Sequence, residues 1–287
     1  MKILILGSTG MLGSEIFKVF SNVKKYDLFT SSRTKMRESK NHIEIDLVNE
    51  DYLKKIQKID PDLVIYCTGN TSVSECELNP DMAKKLHIDV PGQISRVCKK
   101  IIYISTDSVF SGEHPPYTEE SLTSPINFYA QSKSEGEKEI KKKSLDYMII
   151  RTNMYGVGSS RGESLVEWAV SNMSLGNKID GFADLFFNPL SVNQISYAIK
   201  FLIEKDFSGT INVAGDYSIS KYEFLSILAT SLEYNSDLVI RSISSDFFSV
   251  PRPKNTTLSI KNIKQLGFNN LKLEQGMKYI AMKIREV

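Results

Sequence analysis

The chain has 287 residues, 41% of them hydrophobic and 24% charged, with a formal net charge of +2 at pH 7. That length and balance allow a large buried core, as one α/β unit or as two lobes, and the near-neutral charge gives no broad basic field for nucleic acid or an anionic membrane. Cys67, Cys76 and Cys98, like the scattered His42, His87 and His114, show no metal-ligand spacing, so no metal site is expected, and every apolar run is too short for a signal-peptide core or a membrane span, which points to a soluble cytoplasmic protein.

In chain order, the first strand is expected over 2–6 and the first helix over 11–21, joined by GSTGMLG. Gly7, Gly10 and Gly13 let the backbone turn tightly and approach a pyrophosphate, and the helix N-terminus offers N–H donors to its charge. Thr9, Met11 and Leu12 belong to the same cofactor-binding loop. A plain strand-to-helix turn is the other reading of these residues. The G-x-x-G-x-x-G spacing points, within Rossmann-like folds, to the short-chain dehydrogenase branch.

A second strand over 27–29 runs into FTSSRTK. An acidic residue there would bind the ribose 2′-hydroxyl of NAD. Ser31, Ser32, Arg33 and Lys35 instead offer hydroxyl and cationic donors suited to a 2′-phosphate, so NADPH is the expected cofactor and NADH the alternative. A polar surface turn is the bland reading. After a third strand over 42–45, Asp46 is placed to hydrogen-bond the adenine edge, with Leu47 beside it, or to cap a turn.

A helix over 49–58 and a strand over 63–66 lead to CTGNTSVSECELNP. Thr68, Gly69 and Asn70 follow the strand's carboxyl end, where open α/β sheets hold their ligands; a simple loop glycine is the alternative. A helix over 80–99 precedes the strand at 101–105, which ends in YISTDSVFSG.

Thr106 sits at that strand's carboxyl end, and Tyr129 opens a helix over 129–143 with Lys133 one turn on. Positions i and i+4 share a helix face, so phenol and ammonium can point the same way. Ketone reduction needs a hydride donor on one side of the carbonyl and a proton donor beside its oxygen. The ammonium and the nicotinamide's positive charge are together expected to bring the phenol's pKa of about 10 toward the working range, and Thr106 to donate a hydrogen bond to the same oxygen. The same spacing recurs at Tyr217/Lys221 and Tyr279/Lys283, but no strand precedes those pairs, and they are expected on a surface helix or turn. The lysines at 141–143 read as a solvated helix end.

A strand over 147–150 closes the first half, and beyond it the rhythm loosens, with helices expected over 163–174, 192–203, 219–232 and 273–284. The α/β alternation predicts a doubly wound parallel Rossmann-like sheet over 1–150 that binds NADP, and a smaller, mainly substrate-binding lobe over 151–287 with some segments returning to the sheet. Trp168 and the other aromatic residues of that lobe are expected in its core or an interface.

The chain resembles an extended short-chain dehydrogenase/reductase, and within that group the dTDP-4-dehydrorhamnose reductase family of nucleotide-sugar 4-ketoreductases. The resemblance rests on GSTGMLG, YISTDSVFSG, PINFYAQSK, IIRTNMYG, FFNPLSV, GTINVAG and VPRPKNTTLSI. It implies Thr106, Tyr129 and Lys133 as catalytic residues. It also implies that Thr106, Asp107, Val109, Asn153, Arg252 and Asn255 bind substrate, with the loop around Arg252 and Asn255 closing on the nucleotide-sugar and Arg252 meeting a phosphate. Asn153 stands where rhamnose-type reductases commonly carry a tryptophan, and a sugar contact and a turn cap are both open for it.

The implied activity is NADPH-dependent reduction of the 4-keto group of a nucleoside-diphosphate 4-keto-6-deoxy sugar, in the first place dTDP-4-dehydro-L-rhamnose, for surface polysaccharide precursors. Thr106-Asp107-Ser108 lacks the second acid of the related 4,6-dehydratases, and the stretch has no cysteine of the 3,5-epimerase/reductase kind. The expected partner is the nucleotide-sugar, with a homodimer as an open option, and no nucleic acid or membrane. Two other readings are a non-catalytic regulatory subunit of the methionine adenosyltransferase β type, which the intact Thr106/Tyr129/Lys133 set opposes, and a sugar-nucleotide epimerase, which the Arg33 region opposes.

Overall fold

Strands buried on both faces read as unbroken apolar runs, and KILIL, LVIY and KIIYIST take the middle of the sheet. The computed structural model describes residues 1–33, 41–48, 51–144, 146–158 and 164–286. Its seven-stranded sheet is wholly parallel and comprises β1 (Lys2–Leu6), β2 (Asp27–Ser32), β3 (His42–Glu44), β4 (Leu63–Tyr66), β5 (Lys100–Thr106), β6 (Tyr147–Thr152) and β7 (Gly209–Asn212), in the order β7-β6-β5-β4-β1-β2-β3. The chain reverses direction across the sheet between β1 and β4, so their carboxyl ends bound the crevice where such folds take ligands.

Alternate residues of each strand feed two cores. Ile3 and Ile5 face α1 (Met11–Ser21), while Leu4 and Leu6 face α2 (Tyr52–Ile59). After α3 (Val73–Leu78), which packs on α5, the second face is completed by a helical run over 80–94, here α4, and by α5 (Phe128–Lys143). α4 contains a π-helical turn at Lys85–Asp89 and ends five residues before the expected 99, in tight turns rather than helix.

Beyond β6 come α6 (Leu165–Ser174), α7 (Val192–Glu204), α8 (Lys221–Ser231), α9 (Lys261–Gln265) and α10 (Leu273–Arg285). α7 joins α1 on the first face of the sheet, and β7 pairs with β6. A third apolar cluster joins α6, α8 and α10 around Tyr155, Phe187 and Phe224, with Trp168 packed against it.

Three expectations differ from the structure for local reasons. β2 runs on to Ser32 because its polar end is paired on both sides, with β1 and β3, which outweighs side-chain polarity. α3 was not expected; Ser72 caps it by accepting the Glu75 N–H. β7 is a four-residue strand whose two buried residues, Ile211 and Asn212, leave too short a pattern to read. Among the described residues, no helix is long and apolar enough to cross a membrane.

Candidate active site

At the end of β1, Gly7 has φ +82°, in the left-handed region, and a Cβ there would lie 2.8 Å from Thr68 Oγ1. A Cβ on Gly13 would come within 2.2 Å of the Gly7 carbonyl oxygen, so α1 packs on the loop only because Gly13 has no side chain. Gly10 is the N-cap and gives no side-chain cap, which leaves the first-turn N–H groups of α1 open to an anion. Thr68 Oγ1, across the crevice, is buried with no hydrogen-bond partner among the described residues. A side-chain-free cradle, an uncapped helix start and an orphaned hydroxyl together fit a dinucleotide. Thr9 and Met11 are half-buried beside them.

Gly13→Ala is expected to destabilise the protein by about 1–3 kcal/mol through overpacking and to remove the thermal upshift given by NADPH. A melting experiment with and without NADPH checks both; an unchanged upshift would free the glycine from any cofactor role.

At the second strand, Ser32 Oγ and Thr30 Oγ1 hold the two ring nitrogens of His42, each at 2.9 Å, and Arg33 is exposed beyond them. Lys35 lies outside the described residues. The Asp46 carboxylate accepts the Val48 N–H at 3.0 Å, a local turn. Leu12 and Leu47, expected to touch the cofactor, are 5% and 6% exposed and belong to the two sheet cores, because each is the apolar residue its element turns inward. Only their backbone is available to a ligand.

Thr106, Tyr129 and Lys133 meet at the carboxyl end of β5. Asn127 caps α5 by accepting the Ala130 N–H, and Glu77 accepts the Phe128 N–H, so the turn that carries Tyr129 is fixed at both ends. Thr106 is buried beside Tyr129, accepts the Ser108 N–H at 3.2 Å and donates to Asp107 Oδ1 at 3.1 Å. The Lys133 ammonium donates to the Ile104 carbonyl at 2.6 Å and lies 4.0 Å from the centre of the Tyr103 ring.

The lowering expected of the ammonium is not found among the protein's own groups. Burial pushes Tyr129 up to about 12, opposed by the neighbouring Thr106 hydroxyl. Burial also pushes Lys133 down to about 7, opposed by Glu137, one turn further along the same face. Burial is the largest cause of both shifts, and Tyr129 rests as a protonated acid.

His87, from the π-helical turn, is a residue the sequence reading passed over. Its Nε2 accepts the Asn70 N–H at 3.1 Å, so Nδ1 carries the proton and donates to Ser132 Oγ at 2.8 Å; Ser132 in turn donates to the Tyr129 carbonyl. The ring also stands edge-on to Tyr129, 5.8 Å between centroids. His87 thereby ties the Thr68–Asn70 loop to the helix turn of Tyr129. Burial first, and Lys133 second, push its pKa down to about 3.

A group lowered from 6.5 to about 3 takes up its proton more readily in the unfolded chain, so its contribution to stability is lost as pH falls from about 6.5 toward 3. His87→Gln, which keeps hydrogen-bonding capacity and cannot charge, is expected to show a shallower loss of melting temperature over that range. Equal acid limbs would contradict the buried neutral imidazole.

Several expected substrate residues serve the protein itself. Asp107 is fully buried; it accepts from Thr256 Oγ1 at 2.5 Å, Asn153 Nδ2 at 2.9 Å and Thr106 Oγ1 at 3.1 Å. A direct sugar contact is therefore not available to this carboxylate, which pins β5, the segment after β6 and the late loop together. Asn153 is neither of the two things expected of it: its amide orients Asp107. Val109 is fully buried among Phe110, Tyr117, Ala214 and Leu258, which takes its side chain away from substrate.

The loop 250–256 is seated on this cluster. Asn127 donates to the Pro251 carbonyl at 3.1 Å, and Gly112 packs where a Cβ would lie 2.6 Å from the Lys254 nitrogen. Asn255 spends its amide oxygen on Thr257. Arg252 is half-buried 5.0 Å over the Phe248 ring, and its Nε is buried without a hydrogen-bond partner.

The expectation of a surface setting fails for Tyr217 and Lys221. Tyr217 donates its hydroxyl to the Pro189 carbonyl, and burial raises its pKa. Lys221 opens α8 half-buried, its ammonium 3.7 Å from the centre of the Phe187 ring and close enough to Asp107 and Arg252 to feel both charges. The two strands that bring it there, Phe186–Phe187 and Ile219–Ser220, are two residues long, below what a periodicity reading detects. Tyr279 is partly exposed and donates to Glu15 at 2.7 Å, while Lys283 pairs with Glu286.

The sequence model of the RmlD substrate binding domain family matches residues 1–285. Methionine adenosyltransferase 2 subunit beta of mouse is 28% identical over 282 residues, 93% of this chain and 82% of that protein. The probable low-salt glycan biosynthesis reductase Agl14 of Haloferax volcanii is 26% identical over 245 residues, 82% of each protein. Among solved structures, dTDP-4-dehydrorhamnose reductase from Bacillus anthracis in complex with NADP is 25% identical, with a TM-score of 0.88 over 98% of this chain and 99% of that one.

Proposed function

This chain belongs to the dTDP-4-dehydrorhamnose reductase family of extended short-chain dehydrogenases/reductases, and from that premise we propose that it reduces the 4-keto group of a nucleoside-diphosphate 4-keto-6-deoxy sugar with NADPH. The best single substrate is dTDP-4-dehydro-L-rhamnose, giving dTDP-L-rhamnose for surface polysaccharide precursors in the cytoplasm. The observation that carries the reading is the meeting of Thr106, Tyr129 and Lys133 at the end of β5, beside the glycine cradle of β1 and α1.

A bound reduced nicotinamide supplies the hydride. Tyr129 gives its proton to the ketone oxygen as charge develops there, and Thr106 holds that oxygen by a hydrogen bond. The Lys133 ammonium, kept charged by Glu137, offsets the phenolate that Tyr129 becomes. Gly7, Gly10, Gly13 and the first turn of α1 take the pyrophosphate, and Arg33 reaches the adenosine 2′-phosphate.

The test is loss of NADPH absorbance with dTDP-, GDP-, UDP- and CDP-4-keto-6-deoxy sugars. Oxidation with one base class would name the substrate family; silence across the panel with NADPH bound would remove simple 4-keto reduction. The likeness to methionine adenosyltransferase 2 subunit beta favours a second reading, a nucleotide-binding regulatory subunit. NADPH binding without turnover, together with co-purification of a large partner enzyme, would select it.

A further inference from the structure

Lys221 and Arg252 come from different elements, the first turn of α8 and the loop 250–256, and these meet where Asn255 bridges to Phe186, next to the ring that carries the Lys221 ammonium, and where Thr256 reaches Asp107. Each charge is half-buried against an aromatic ring, Phe187 for the ammonium and Phe248 for the guanidinium. Neither side chain makes a hydrogen bond or an ion pair among the described residues, and the buried Arg252 Nε is orphaned. Arg252 acts against the charge on Lys221. Asp107, whose charge acts on Lys221, is already engaged by Thr256, Asn153 and Thr106. Two desolvated cations that repel one another and lack partners are costly unless an anion bridges them.

We propose that Lys221 and Arg252 form a two-cation clamp for the diphosphate of the substrate, with Lys221 the member that selects a diphosphate over a monophosphate. The inference rests on the reductase reading and adds to it a residue outside the motifs that support that reading. The anion's position follows from sugar chemistry. Thr106 and Tyr129 would hold the C4 ketone, and the diphosphate leaves the sugar at C1, across the ring, so it lies a sugar ring away from Thr106. A 4-keto-6-deoxy sugar is itself uncharged, which leaves the diphosphate as the group that calls for two cations. The guanidinium offers a planar pair of donors and the ammonium a point charge, a combination suited to two linked phosphates.

Calorimetric titration of the NADPH-bound protein with dTDP, UDP, GDP and CDP, and with the matching monophosphates, tests this. The preferred base is expected to bind at least tenfold more tightly as diphosphate than as monophosphate. Lys221→Met should lower diphosphate affinity by roughly tenfold while NADPH and monophosphate affinities stay within about twofold, and Lys221→Arg should restore most of the loss. Lys221→Gln provides a second neutral variant should Lys221→Met not fold. Unchanged diphosphate affinity in the folded neutral variant, with Arg252→Met losing it, would overturn the clamp and leave Arg252 alone. Failure of every diphosphate to bind the NADPH-bound wild type would overturn the nucleotide-sugar reading along with the clamp.

Discussion

Tyr129→Phe is expected to lower kcat by about 10²- to 10⁴-fold while NADPH still binds. The substitution removes one oxygen and keeps the ring that stands edge-on to His87, so helix α5 and its capped first turn stay as they are. What is lost is the proton for the ketone oxygen. With its phenol pushed up to about 12, Tyr129 is fully protonated through the neutral range and acts as an acid in the reducing direction. Its own titration therefore leaves no mark on the rate near neutrality. Lys133, at about 7, does. As pH rises through that value the ammonium loses its charge, and the phenolate formed in the transition state loses its counter-ion. Reduction is expected to slow above about pH 7, read from kcat/KM with saturating NADPH. A rate that stays level from pH 6 to 9 would remove Lys133 from that role, and a Tyr129→Phe protein of undiminished rate would remove Tyr129 from the chemistry.

The parts of the molecule legible in the sequence are those whose cause is local. Apolar runs bounded by turns located β1 and β4, and three glycines between a strand and a helix marked a crevice that the structure builds with a positive φ at Gly7 and a close approach at Gly13. The step from Tyr129 to Lys133 is one helical turn. The same rule, carried one turn further, would have reached Glu137, whose charge holds up that of Lys133.

Illegible were the residues whose meaning depends on partners far along the chain. Asp107 looks like a substrate ligand until Thr256, 149 residues away, is seen to occupy it. Lys221 looks like a wet helix residue until two two-residue strands fold it toward Asp107. His87 has no motif; its role arises because a π-helical turn aims it at Asn70 and Ser132 together. Periodicity reports which side of an element is apolar, and it is silent on which other element arrives there.

Arg151→Met is expected to destabilise the protein more than Gly13→Ala does. Arg151 and Glu137 form an ion pair at 2.7 Å with side chains 3% and 2% exposed. Glu137 also accepts the Arg151 Nε at 3.0 Å and Ser105 Oγ at 2.6 Å, and Arg151 donates to the Glu119 carbonyl at 3.2 Å. The guanidinium lies 5.1 Å over the Phe110 ring. Losing the arginine leaves a desolvated carboxylate whose one remaining hydrogen-bond donor among the described residues is the Ser105 hydroxyl, a cost of about 3–5 kcal/mol. For a chain of this size that lowers the melting temperature by roughly 6–20 °C. The double variant Arg151→Met/Glu137→Leu should recover much of the loss, because two apolar side chains replace a pair whose desolvation had consumed most of its attraction. It should not recover the pH profile. Glu137 is the largest of the influences that raise the pKa of Lys133 against burial, so its removal moves the decline in reduction to a pH below 7, while Arg151→Met, which keeps the carboxylate, leaves it in place. Melting temperature and pH profile thus separate the two duties of Glu137, and a double variant with the wild-type profile would show that Lys133 holds its proton by some other means.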